Sequence, residues 1–482
     1  MTTAALPDLL SEQRGSGERV PTELIFLGCA TALFLNHSGG VSGINLSLAD
    51  PLMVVTLIAL AVTRKAIIPS GVALFFCVLI ALTVVTALFV SPAQFGIAPN
   101  GTTIFADLAK LIVCLMYLAI GTGMAKLGAH MLVLRWFTAG AALVAFMGVA
   151  MQLSGVRLLG EAVYYGGTRY KGFMVDPNFW AILSCAAIPF LVRDTAWRAS
   201  IRLPMIACIA AAILLSGSKT GMIALLIFLS IATIEYAVRS GRKGIATALI
   251  ILSAAVALLW TPLSALAVET AERHVTAVPQ LARIVTLLED PLGAVSEGGS
   301  ARADAWTDGV EIISASPLLG VGVGSYSSVA DMLFGERTLA HNTYIQLAAE
   351  WGLPLAAVFF VWLAINLGRA SAVGWASQRA PDALILRDML FIFLIGSLSL
   401  SLNNARMFWF LLGMLIVVTA IRGLSPRQGP TRLLAPGPAS RPARLVQVLG
   451  FPSSPVAAPL LCSPSELPML KANTATWGLT HG

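Results

Sequence analysis

Apolar residues in this chain gather into runs about as long as a bilayer is thick, and no other feature narrows the possible folds so far. The runs fall at about 24–36, 46–63, 66–91, 104–125, 131–153, 177–192, 201–216, 220–238, 244–261, 342–368, 383–403 and 407–421. About 20 residues of helix cross the hydrocarbon core, and a helix satisfies its own backbone polar groups there. The pattern predicts an all-α, polytopic membrane protein with roughly twelve transmembrane helices, or eleven if the first two runs are counted differently. Composition agrees. Only 11% of the 482 residues are charged and 57% are hydrophobic, against about 25% charged in a soluble domain.

Lys and Arg in the short loops set the orientation. One set of connections holds Arg64 and Lys65, Lys126 and Arg135, Arg193, Arg198 and Arg202, then Arg239, Arg242 and Lys243, then Arg369, Arg379 and Arg387. That side is expected to be cytoplasmic, with both termini on it. A cleaved leader is not expected, because apolar residues continue past Ala30-Thr31-Ala32. Residues 1–421 read as one transmembrane domain whose outward segment 262–341 forms a structured extracytoplasmic loop. Residues 422–482, rich in Pro, Ser and Ala, read as a disordered cytoplasmic tail. The net charge of +7 is spread between apolar runs rather than gathered in a patch, which argues against nucleic acid as a partner. The six cysteines show neither a disulfide framework nor metal-ligand spacing.

Basic residues on the outward side stand against the orientation rule: Arg157, Arg169, Lys171, Lys219, Arg273, Arg283, Arg302, Arg337 and Arg406. Four stretches combine such residues with unusual neighbours. Arg169 and Lys171 precede Asp176-Pro177-Asn178, where Asp176 suits a helix N-cap and Pro177 the first helical position. Helix starts favour anions, although head-group snorkelling accounts for both cations equally well. Ser218-Lys219-Thr220-Gly221 makes a tight hairpin; the glycine that a P-loop needs before its lysine is Ser218 here, so that match fails. A lysine between two spans is costly unless it faces a polar cavity.

Ser300 is expected to cap a helix. At about 100° per residue, Arg302, Trp306, Val310 and Ile313 share roughly a quarter of its circumference, while Asp304, Asp308 and Glu311 lie opposite. Arg302 thus sits on the apolar stripe, where a solvated arginine would not. His341-Asn342-Thr343 opens the next span, and among five histidines His341 alone is read at a membrane boundary beside polar neighbours. A lone histidine is more often structural than catalytic; its near-neutral pKa nonetheless makes it the best general-base candidate. Gly320, Gly322 and Gly324 do not have dinucleotide spacing and read as a flexible turn open to a ligand.

Taken in order, Arg169 to Asn178, Ser218 to Thr220, Arg302 to Trp306, Pro317 to Gly324 and His341 to Gly352 resemble the signature of the O-antigen ligase and polymerase family of lipid-linked glycan transferases. The resemblance covers roughly residues 160–370. It implies a metal-independent, cofactor-free glycosyltransferase in the bacterial inner membrane, active on the periplasmic face. Such an enzyme moves a glycan from undecaprenyl diphosphate to an acceptor hydroxyl. A ligase, the favoured reading, uses the lipid A core; a polymerase of O-antigen, capsule or exopolysaccharide uses another lipid-linked repeat. Arg169, Lys171, Lys219 and Arg302 are then the expected diphosphate-binding cations, with His341 and Arg302 catalytic. The rival of another class is a transporter or flippase. Broken helices, internal repeats and midplane binding would favour it; charges concentrated at one face favour surface chemistry.

Overall fold

The computed structural model describes residues 21–424, apart from 42–43, 67, 157, 195–196, 243, 246, 248, 251–284, 286–299 and 377–380. It is mostly helical. In chain order the elements are α1 (Thr22–Phe34), a hairpin of β1 (Gly39–Val41) and β2 (Ile44–Leu46), α2 (Ala49–Val62), α3 (Ser70–Phe95), α4 (Gly101–Lys126) and α5 (His130–Ser154). A second hairpin, β3 (Tyr164–Tyr165) with β4 (Arg169–Tyr170), leads to α6 (Pro177–Arg193), α7 (Ala199–Ser216) and α8 (Lys219–Arg239). Then come α9 (Ser300–Ala315), α10 (Tyr326–Phe334), α11 (Thr343–Ala376), α12 (Pro381–Gly396) and α13 (Arg406–Leu424).

Among the described residues, seven helices are long and apolar enough to cross a membrane: α3, α4, α5, α7, α8, α11 and α13. The protein is therefore a polytopic membrane protein, and the described residues hold seven full-length spans where the whole chain is expected to have roughly twelve. Three of the expected runs fold as shorter apolar helices, α1, α2 and α6, and α12 has 16 residues. Two of these are interior elements. In α6, Trp180, Ile182, Ile188 and Phe190 are buried, and in α12 so are Ile385, Leu386, Met389 and Phe393. Most of run 244–261, the segment 262–299 except Val285, Arg157, Arg273, Arg283 and nearly all of tail 422–482 lie outside the described residues. The last helix continues to Leu424, three residues into the expected tail.

Lipid supplies no hydrophobic drive between helices, so close contact comes from small residues. α4 and α13 touch through Gly121 and Gly413: a Cβ added at either would stand 2.1 Å from the carbonyl oxygen of Phe410 or Leu118, respectively. Ion pairs gather at one end of the bundle. At the end of α6, Arg193 donates to Glu235 of α8 at 2.7 Å and to Asp388 of α12. Arg387 donates to the same two carboxylates at 2.8 and 2.6 Å. Two of the basic residues assigned to loops by the charge pattern thus lie partly buried against the bundle, each bridging two acids.

Candidate active site

At the opposite ends of α6, α8 and α11, three capped helix starts come together. Asp176 caps α6 through Oδ1, which accepts from the amides of Asn178 (2.8 Å) and Phe179 (2.9 Å), with Pro177 at the first position. Ser218 caps α8 by accepting from the amide of Gly221, after Gly217 turns the chain in the left-handed region. Asn342 Oδ1 accepts from the amides of Tyr344 and Ile345 at the head of α11.

Side chains stitch these starts into one surface. Arg169 donates to the carbonyl of Ser216 (2.9 Å) and to Asn178 Oδ1 (2.8 Å), joining the first two expected motifs. Thr220 and Ser399 share a hydrogen bond of 2.6 Å. The connection after α12 then continues to α11: Thr343 donates its amide to Ser397 O and its hydroxyl to Leu400 O, and Asn342 donates to Leu398 O. Residues 397–402 therefore link the α8 and α11 starts. Nothing in the sequence reading singled them out, since serines in a short loop carry no periodic or charge signal.

His341 sits immediately ahead of α11. Its φ is 46°, a left-handed backbone that costs a non-glycine residue about 1–2 kcal/mol. The residue is exposed, yet crowding by the surrounding protein, and then the positive charge of Arg302, hold its imidazole below the usual pKa; Asp176 acts weakly in the other direction. At neutral pH the ring is thereby kept neutral and able to accept a proton. Arg302 and Lys171 are both partly buried, and neither side chain has a hydrogen-bond or ion-pair partner among the described residues. Lys219 opens α8 on the same surface. His341, Arg302 and the α6 start are thus one neighbourhood, with Arg169 clamped behind it.

Other expectations change. The buried face of α9 is Ala305, Gly309 and Ile312, while Val310 is 52% exposed. The contact face is centred on Gly309, because its missing side chain admits Ile345 of α11: a Cβ there would stand 2.4 Å from Ile345 Cγ2. Arg302 lies at one edge of this face. At the other edge Asp308 is half-buried rather than freely wet, with its pKa raised by lost hydration and by the neighbouring acids Glu311, Asp304 and Glu336. Helix α9 begins at Ser300 itself.

The outward list also changes. Arg406 is committed to Asp50, in a two-pronged pair of 2.6 and 2.7 Å, with Tyr117 donating to the same carboxylate. His341 is not alone at this end: His37 bridges to Phe173, next to Lys171 and Gly172. Among the described residues no group of three or more His, Cys, Asp or Glu is gathered as metal ligands would be.

Residues 204–360 match the profile of the family described as O-antigen ligase. Over that stretch the chain is similar to O-antigen ligases. The matched region spans Lys219, α9 with Arg302, His341 and the outer half of α11, while Arg169, Lys171 and the Asp176 cap precede it. No curated protein matches the chain. The matched region thus covers three of the five expected site residues, and Arg169, one of the other two, reaches it through its bond to the carbonyl of Ser216.

Proposed function

We propose that this protein transfers a glycan from a polyprenyl (undecaprenyl) diphosphate to an acceptor hydroxyl on the periplasmic face of the inner membrane, and that the acceptor is the lipid A core. One observation carries the reading: the neutral His341 stands beside Arg302, a cation without a partner among the described residues, where three capped helix starts converge. In the step proposed, the acceptor oxygen attacks the anomeric carbon as His341 takes its proton. The bond from that carbon to the diphosphate oxygen breaks, and its electron pair leaves on the diphosphate. Arg302, Lys171 and Lys219, with Arg169 fixed behind them, balance the negative charge. Fixed donors in a partly dry site stabilise such charge far better than water does, and they supply this stabilisation without a metal.

Polymerisation would use the same chemistry with a second lipid-linked repeat as acceptor; the family description favours ligation. A transporter would be favoured by a broken span, and α11 has one at Gly352, which is non-helical at φ 76° and ψ 156°. However, the backbone groups freed there bond to residues 317–322 of the protein rather than lining an open path, so transfer remains the better reading. The test is transfer in proteoliposomes holding purified protein, lipid-linked glycan and lipid A core. Glycan appearing on the core, lost in Arg302→Ala and His341→Ala, supports the proposal. Glycan crossing the bilayer with no new bond overturns it.

A further inference from the structure

We infer that residues 317–324 are a strap that positions His341 against Arg302, with Gly320, Gly322 and Gly352 as its positioning residues. The role in catalysis rests on the proposed transfer reaction, while the strap itself does not.

The argument starts at the break in α11. Gly352 leaves the helical region and Pro354 has no N–H to give. A helix broken this way strands backbone groups, and in lipid each stranded group costs several kcal/mol. Here they are met. The carbonyls of Ala349 and Glu350 accept from the amides of Val321 (2.8 Å) and Gly322 (3.0 Å), and the amide of Leu353 donates to Pro317 O at 2.8 Å. The same segment reaches α3, where Val323 donates to Thr83 O (3.2 Å) and Ser91 Oγ donates to Val321 O (2.7 Å). Thr83 lies just before a π-turn at Thr86–Val90, which locally disturbs the helical ladder.

The glycines are needed for contact as well as for conformation. All three of the run, and Gly352, have positive φ. A Cβ at Gly320 would lie 2.5 Å from Gly352 N, one at Gly322 2.4 Å from Ala87 N, and one at Gly324 2.7 Å from Thr103 O. The segment expected to flex around a ligand is instead inlaid in the backbones of α3, α4 and α11.

Its position gives it a task. The strap follows directly from α9, which carries Arg302 near its start. It grips the outer part of α11, whose head follows His341. One covalent segment thus ties the element bearing the cation to the element bearing the base. With the strap released, α9 would be held to the outer part of α11 only by their direct packing at Gly309 and Ile345, and the spacing of Arg302 and His341 would loosen.

Hydrogen exchange on the full-length protein in lipid nanodiscs tests the strap without any reaction. The amides of Val321, Gly322, Val323 and Leu353 should exchange as slowly as helical amides of α4; exchange at the rate of an open loop overturns the inference. Activity tests the positioning. Gly322→Ala, Gly352→Ala and the milder Ser91→Ala should lower kcat, the glycine variants by about 10- to 100-fold, as misplacement of a reacting group does. The acidic limb of their pH profile should move up toward that of an ordinary imidazole, because Arg302 no longer faces His341; Asp176, the other charged group there, pulls the same way. Gly368→Ala in the same helix, whose Cβ would meet nothing within 4 Å, should behave as wild type. Strap variants that keep wild-type kcat and pH profile overturn the positioning role. If wild-type protein transfers no glycan at all, the reaction is wrong while slow exchange still upholds the strap.

Discussion

Arg302 and His341 belong to one neighbourhood: the guanidinium has no hydrogen-bond or ion-pair partner among the described residues, and after burial its charge is a reason the imidazole stays neutral. If the arginine stabilises the leaving group, Arg302→Ala should reduce transfer on the order of a hundred- to a thousandfold. If the histidine is the base, His341→Ala should cost about 10²–10⁴-fold. Both variants should accumulate normally, with activity compared in membranes at equal protein. Asp308 borders Tyr326 on the far edge of the same helix, away from His341, so Asp308→Asn should leave transfer within roughly twofold, as for substitutions outside special features. A loss as large as that of Arg302→Ala would mean that the wrong edge of α9 faces the substrate. The imidazole also makes a pH prediction. Rate should rise as His341 loses its proton, with a midpoint below the ordinary 6.5, since crowding and Arg302 both lower its pKa. Arg302→Gln should move that midpoint upward in whatever activity remains; an unmoved limb would assign the titration to another group.

At the scale of elements, the same helices carry charge for different purposes at their two ends. Ionisable groups within a membrane protein are functional candidates by default, but the four-residue cluster of Arg193, Glu235, Arg387 and Asp388 is internally matched, and every side chain is no more than 12% exposed. It joins α6, α8 and α12, and its expected role is to hold them. Removing one partner of such a pair strands a buried charge and typically costs about 3–5 kcal/mol, whereas replacing both with apolar groups is often neutral. Arg193→Met should therefore lower the detergent melting temperature markedly. Changing Arg193→Met and Asp388→Leu together should recover part of the loss, since fewer charges are then left unmatched. Equal melting of wild type and Arg193→Met would remove the cluster from the forces that hold the bundle.

For the whole molecule, the charge pattern and the two-ended arrangement lead to one expectation. Cysteines placed at Arg337 and at Ser327, in the described outer segment, should be labelled by membrane-impermeant reagents from the periplasmic side. Cysteines placed at Arg64 and Arg242 should be labelled only after permeabilisation. Labelling in the reverse pattern would turn the protein over and place the site in the cytoplasm.

Much of this was legible in the sequence because lipid is an exacting solvent. It requires apolar runs of a given length, and cations at one face, so the helical class, the membrane location and the positions of most helices follow from residue order. A cap is similarly local: Asp176-Pro177 marks the start of α6 whatever surrounds it. The motifs of the candidate site were legible as separate pieces. Their assembly was not. That Arg169 is held by Ser216 and Asn178, that Arg406 is already paired with Asp50, and that the Ser399 loop links α8 to α11 depend on contacts between residues up to 356 positions apart. The buried face of α9 could not be read from periodicity, because a glycine, with no hydrophobicity to count, set where the helix docks. Apolar run length identified the segments able to enter the membrane. Only packing decided which became full spans, which stayed short and interior, and where one had to break and be mended by a loop from elsewhere in the chain.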